Sequence, residues 1–289
     1  MNMYTIEQVQ DNQFTIYELR GQASILRVAP ERGGIIIGFE VQGDEVLFLN
    51  KKTFYEEDAN VRGGIPILFP IFGQLEEGKY EWEGKVYNMK NHGFARNLPW
   101  EVVETNASED KAMITLRLQS SSETLASYPF EFEVFFTYIL QDNTLTIEQE
   151  YKNKSSNEMP IYGGFHPYFS TSEKNLSYET DAEQYLDYND MKVKSVQEDG
   201  LDLTNKVESF VLLDAKKKGI SFPLPELNRK VHIKYGDEFK YVYLWTEQDQ
   251  DFVCVEPAMG KTDEFNRKEE LLFVEQGKSV KTMMTVTVE

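Results

Sequence analysis

Sulfur, histidine and positive charge are all scarce in this chain of 289 residues. It has one cysteine, Cys254, and three histidines, and its 30 Lys and Arg face 49 Asp and Glu, a net charge of −19. A single cysteine excludes an internal disulfide and a cysteine-rich zinc site, and it fits a reducing compartment. The shortage of basic residues disfavours binding to nucleic acid, where clustered cations must neutralise phosphates, and adhesion to anionic membrane. No run approaches the ~20 apolar residues of a membrane-spanning helix, and the start, MNMYTIEQVQDNQF, lacks a basic segment followed by an apolar one. These features predict a soluble, cytoplasmic protein. No Pro-rich or Gly/Ser linker, low-complexity run or repeat divides the chain, so one domain over 1–289 is expected. The sequence also lacks a Gly-x-Ser-x-Gly elbow, a phosphate-cradling Gly-Lys-Ser/Thr loop and any close histidine pair with metal-ligand spacing. No metal is expected. Helical periodicity is confined to two short candidates, Ser121 to Leu125 and Lys268 to Leu272.

What is present is period-two alternation broken by turn residues, the pattern of half-buried strands. It runs through Phe14 to Glu18, Ser24 to Val28, Gly34 to Val41, Ala112 to Leu118, Lys230 to Tyr235, Lys240 to Trp245 and Ser279 to Val288. Phe130 to Leu140 and Thr144 to Tyr151 flank Gln141-Asp142-Asn143, the strongest hairpin signal. A smaller hairpin joins Tyr80–Trp82 to Lys85–Tyr87, and Phe252 to Val255 is a short apolar run. An apolar fraction of 40% with 13% aromatics suffices for a large core. The expected architecture is all-β: a large antiparallel sandwich or two packed sheets.

Three stretches break the alternation: Arg62-Gly63-Gly64-Ile65-Pro66, Gly163-Gly164-Phe165-His166-Pro167 and Glu256-Pro257. Irregular segments on a rigid β scaffold are where sites are built. His166 sits among aromatics that offer a stacking surface for a sugar ring; the alternative is a core histidine. Glu256 ends an apolar run, where a carboxylate is costly unless paired or functional; the alternative is an ordinary strand end closed by Pro257. His92 lies in Asn91-His92-Gly93-Phe94-Ala95-Arg96, as a catalytic residue or a turn histidine. Arg62 and Arg96 each adjoin a glycine-containing segment and carry the donor fork suited to carboxylate, phosphate or sugar hydroxyls; the alternative is an ion pair. His232, in Val231-His232-Ile233, is expected to face solvent and take no part in chemistry.

Taken together and in order, Arg62-Gly63-Gly64-Ile65-Pro66 through Phe69-Pro70-Ile71-Phe72-Gly73, His92-Gly93-Phe94-Ala95-Arg96 with Pro99-Trp100, His166-Pro167-Tyr168-Phe169 and Val253-Cys254-Val255-Glu256-Pro257 resemble the aldose 1-epimerase, or galactose mutarotase-like, family. The similarity is closer to its branch containing glucose-6-phosphate 1-epimerases. The resemblance implies a large mutarotase-type β-sandwich that needs no cofactor and acts on a small sugar or sugar phosphate. It implies Glu256 as general base, His166 as general acid, His92 as a second active-site histidine, and Arg62 and Arg96 as substrate contacts. At their unperturbed pKa values, about 4.3 and 6.5, the Glu is ionised and the His partly protonated near neutral pH. The position after Phe69-Pro70, often Gln in the hexose-phosphate branch, is Ile71 here. Asp202 and Glu208 are candidates for a carboxylate that contacts sugar hydroxyls. The competing expectation is a non-catalytic sugar-binding protein on the same scaffold.

Overall fold

The computed structural model describes residues 4–289. The hairpin that reads most clearly in the sequence is also the longest: Phe132–Gln141 pairs with Thr144–Asn153 from Phe132 opposite Asn153 to Gln141 opposite Thr144. Along its first strand Phe132, Val134, Phe136, Tyr138 and Leu140 are buried, and the residues between them are half-buried. Each such side chain contributes roughly 1.5–3 kcal/mol on burial. A one-residue slip would turn all of them outward, so burial fixes the register. Asp142, at φ 51°, takes the left-handed turn conformation that Asp tolerates better than most residues.

This hairpin lies in a seven-stranded antiparallel sheet ordered Gly219–Leu224, Arg229–Tyr235, Ser279–Val288, Thr144–Asn153, Phe132–Gln141, Ala112–Gln119 and Glu101–Ala107. A second, eight-stranded sheet runs Lys192–Ser195, Gln184–Asp187, Phe210–Leu212, Tyr241–Trp245, Phe252–Ala258, Gly164–Phe165 and Ile67–Leu68, with Tyr168–Ser170 also paired to Phe252–Ala258. The two pack face to face. Phe136 of the first meets Phe165 of the second edge-on at 5.9 Å between ring centroids, and Tyr151 stacks on Phe69 at 5.7 Å. A five-stranded meander, from Thr5–Asp11 to Asp44–Glu45, adds a further sheet. This is the expected all-β, antiparallel sandwich.

Of the two helical candidates, the first forms as Ser122–Ser127, capped reciprocally by Ser121 and Thr124. The second is displaced. A single turn forms at Glu264–Arg267, and Lys268, at φ 55°, ends it. The cause is the buried Glu264 carboxylate, which accepts the backbone N–H groups of Glu269 and Glu270 and so holds 268–271 in a turn before the strand Leu272–Val274. Among the described residues no helix is long and apolar enough to cross a membrane.

Candidate active site

The strand Phe252–Ala258 is buried along its whole length, as expected of a strand covered on both faces. Its alternation divides two environments. Val253 and Val255 join the main core, whereas Phe252 and Cys254 pack with Tyr168 on the opposite face. Period two therefore puts Glu256 on the Cys254 face. Across the neighbouring strand, Tyr243 stands opposite Glu256 and Trp245 opposite Cys254. Glu256, Tyr243 and Trp245 floor a cleft of about 600 Å³ that is also lined by Arg62, Phe72, Gln74, His92, His166, Tyr188, Glu208 and Thr262, with Cys254 fully buried beneath it.

Two glycines allow the loops to reach this floor. A Cβ on Gly164 would lie 2.7 Å from the Phe72 ring and 2.8 Å from the Pro257 carbonyl oxygen, so only glycine lets the chain before His166 cross so close to the Glu256 strand. Gly93 has φ 72°, and a Cβ there would come within 2.3 Å of the Phe69 carbonyl oxygen, which seats the His92 turn against the same sheet.

His166 and Glu256 form the centre, with Nδ1 3.5 Å from Oε1. The imidazole stacks on Tyr168 at 4.7 Å and 11°. It meets the ring of Trp245 edge-on at 5.6 Å and that of His92 at the same distance. His92 is held by two bonds to one residue: its backbone N–H donates to the Gly73 carbonyl at 2.7 Å, and the Gly73 N–H donates to its Nδ1 at 2.9 Å.

Burial reverses the charge state expected from unperturbed values. It pushes the Glu256 carboxyl well above the usual carboxylate range. Burial first, then the Arg96 and Arg62 charges, brings His166 down to about 3. His92 is depressed by burial, Arg96, His166 and Arg62. Burial thus favours the neutral carboxylic acid at Glu256 and the neutral imidazole at both histidines. The expectation of a partly protonated His166 is corrected, and Glu256 shifts away from the ionised form, because both groups lose their hydration.

The arginines differ in placement. Arg62 lines the cleft, lies over Trp245 at 5.5 Å and contacts Glu247 at 3.3 Å. Arg96 does not line the cleft. Its Nη2 donates to the carbonyl of Asn91, which does, and its buried Nε has no partner. Burial lowers its pKa to about 10, with Arg62 adding repulsion.

Glu208 lines the cleft and Asp202 does not. Ile71 is fully buried; Gln74 reaches the cleft instead. His232 is half-buried rather than fully solvent-facing, bonded through Nδ1 to Ser221 Oγ at 2.8 Å, and stands outside the cleft. Sequence reasoning missed Phe72, Gln74, Tyr188, Tyr243, Trp245 and Thr262. For Tyr243 and Trp245 the signal was available, since they share one face of an alternating strand. Thr262 and Gln74 join two loops through a pair of bonds: Thr262 Oγ1 donates to the Gln74 carbonyl at 2.8 Å and accepts its N–H at 3.1 Å. No periodicity announces that contact. A ring nitrogen of His166, Cys254 Sγ and a Glu256 oxygen also lie within 4.8 Å of one another, a grouping the sequence spacing hid.

A family model described as aldose 1-epimerase matches residues 15–287. The solved structure of the Slr1438 protein from Synechocystis sp. PCC 6803 superposes with a TM-score of 0.89 at 34% identity, covering 99% of this chain and 96% of that one. A galactose mutarotase-like protein from Clostridium acetobutylicum shares the fold, with a TM-score of 0.83 at 18% identity over 99% of both chains. Among curated relatives, a Salmonella typhimurium protein provisionally named glucose-6-phosphate 1-epimerase is 29% identical over 173 residues, 59% of this chain. The match spans only 54% of that relative's length.

Proposed function

Because the chain belongs to the aldose 1-epimerase family, we propose that it interconverts the α and β anomers of a hexose or hexose 6-phosphate, with Glu256 as general base and His166 as general acid. The observation that carries this reading is the 3.5 Å approach of His166 Nδ1 to Glu256 Oε1 on the floor of the cleft. In mutarotation the proton leaves O1 and another arrives at O5. Both oxygens are bonded to C1, so the two transfer groups must stand side by side.

Ring opening proceeds as the Glu256 carboxylate takes the O1 proton. The C1=O bond forms, the C1–O5 bond breaks with its electron pair on O5, and the His166 imidazolium protonates O5. Rotation about C1–C2 and closure on the other face return both protons and give the other anomer. The pair holds one proton before the step and one after it. Opening leaves Glu256 protonated and His166 neutral, the forms that burial favours at each group. The site's electrostatics thus favour the protonation state that accompanies the open-chain sugar over that of the closed ring, and no external proton source is needed. His92, with Nδ1 occupied by Gly73, offers Nε2–H to a substrate oxygen. Phe72, Tyr188, Tyr243 and Trp245 supply apolar ring faces for the pyranose.

A phosphorylated substrate is favoured by Arg62, which lines the cleft; Arg96 supports Asn91 at the cleft wall through the carbonyl of that residue. Arg62 meets one carboxylate, Glu247, across a contact whose side chains are 44% and 37% exposed. Such a pair is worth only about 0–1 kcal/mol, weak enough for a phosphate to displace. The name of the Salmonella relative supports the same choice. The overall charge of −19 opposes it only weakly, since surface charges are screened beyond ~8 Å at physiological salt.

The test is the equilibration of freshly dissolved α-glucose, α-galactose and α-glucose 6-phosphate, followed by polarimetry or NMR. Wild type should accelerate it, and Glu256→Gln and His166→Asn should each lose ~10²–10⁴-fold in kcat/KM. Unchanged rates in both variants would remove these roles. Sugar binding without exchange in the wild type would establish the non-catalytic alternative.

A further inference from the structure

We propose that His166 Nδ1, Cys254 Sγ and the Glu256 carboxylate form a latent three-ligand site for a thiophilic divalent cation such as zinc or cadmium, reached through the cleft, and that occupancy switches the protein off. The inhibitory consequence rests on the reading of Glu256 and His166 as the proton-transfer pair; the binding itself does not.

Three observations meet here. The ligand atoms converge: a His166 ring nitrogen, Cys254 Sγ and a Glu256 oxygen lie within 4.8 Å of one another. With metal–ligand bonds of ~2.0–2.3 Å, a tetrahedral zinc site needs edges of about 3.4 Å between N and O and about 3.6 Å between N and S. The Nδ1–Oε1 separation of 3.5 Å already meets the first. The nitrogen–sulfur and oxygen–sulfur edges, about 3.6 Å in such a site, are at most 4.8 Å here.

The imidazole is also unspent. The His166 side chain is 9% exposed, and its buried Nδ1 has no hydrogen-bond partner. A buried polar atom without a partner carries a desolvation penalty that a ligand relieves. The carboxylate 3.5 Å away, Glu256, is itself one of the three ligands, and Tyr168, Trp245 and His92 contact the ring only through its π face and edges.

The charges balance as well. A thiolate, a carboxylate and a neutral imidazole carry −2 together, so a divalent ion makes the assembly neutral, the condition under which a buried ionic group is tolerated. Cys254 and Glu256 stand two residues apart on one face of a rigid central strand, so two of the three ligands are preorganised. Glu256 lines the cleft, which gives the ion a path in and leaves its fourth position to water.

The experiment uses the full chain in buffer free of thiols and chelators. Cadmium is titrated in while the ultraviolet charge-transfer band of a cadmium–thiolate bond is followed. One cadmium per chain is expected. Cys254→Ser and Cys254→Ala should abolish the band, and His166→Asn and Glu256→Gln should each weaken binding by roughly tenfold or more. Circular dichroism verifies that each variant is folded. In the anomer-exchange assay zinc should inhibit the wild type reversibly, with recovery on adding a chelator, and Cys254→Ser should keep its turnover and lose the inhibition. Absence of the band in the wild type, or a band whose affinity is unchanged in both His166→Asn and Glu256→Gln, overturns the site. Absence of anomer exchange in metal-free wild type defeats the functional reading instead, and the cadmium titration still reports on the site.

Discussion

His92 and Gly73 bind each other twice, backbone N–H to carbonyl at 2.7 Å and backbone N–H to imidazole Nδ1 at 2.9 Å. A backbone N–H can only donate, so Nδ1 must be the accepting nitrogen, and the neutral ring carries its proton on Nε2.

The first prediction follows from that tautomer. Nitrogen-15 NMR of the free protein should find His92 protonated at Nε2 and bare at Nδ1. His92→Phe, which keeps the ring and removes the donor, should lower kcat by roughly 10²-fold, the usual effect of deleting one donor to a developing oxyanion. Protonation at Nδ1 would contradict the arrangement.

A second concerns pH. The active pair carries one proton. It gains a second only when pH falls toward the depressed His166 value of about 3, and it loses its one only when pH rises past the elevated value of Glu256. kcat/KM should therefore show no inflection near the ~6.5 of an unperturbed histidine. A half-maximal point at that pH in the wild type would refute the inverted pair. The two limbs belong to the pair as a unit, since its groups are coupled.

Stability gives a third. The folded-state pKa of Glu256 is raised above its unfolded value, so its contribution is most favourable below the unfolded pKa of about 4.5 and is progressively lost as pH rises toward the folded value. Gln is uncharged at every pH and nearly isosteric with the protonated acid. Glu256→Gln should thus match the wild type in Tm near pH 4 and exceed it increasingly as pH rises, in parallel thermal melts across a pH series. A constant difference would place the effect elsewhere.

The fourth addresses substrate. Arg62→Ala should raise KM for glucose 6-phosphate about tenfold or more, the scale of one charge-assisted contact, and leave KM for glucose nearly unchanged. Glu247→Gln, which frees the guanidinium from its 3.3 Å partner, should move KM for the phosphorylated sugar the opposite way. Equal responses for both sugars would show that Arg62 does not read the phosphate.

The sandwich was legible because a half-buried strand must alternate. Phe132–Gln141 does so without a break, and the antiparallel architecture follows. The displaced helix was not legible, because a buried carboxylate, Glu264, decides where that turn ends. In the cleft, His92, His166 and Glu256 stood out as polar residues in glycine- and proline-marked breaks. Tyr188 and Gln74 did not, because their place is set by how loops meet in space. The charge state of the pair was the least accessible feature. Glu256 and His166 look ordinary in composition, and only their burial reveals that both prefer to be neutral.

The division of faces along Phe252–Ala258 has a consequence for how this protein can change. Glu256 is anchored on an interior strand of the eight-stranded sheet, with Val253 and Val255 tied into the core behind it. The rim residues Tyr188, Met191 and Glu208 lie on connections at that sheet's edge, and Met191 is 67% exposed. Replacing the rim leaves the proposed proton-transfer pair undisturbed, whereas altering the floor disturbs the core as well. Selectivity and reactivity are thus separable inheritances in this architecture, one free to drift and the other bound to the survival of the fold.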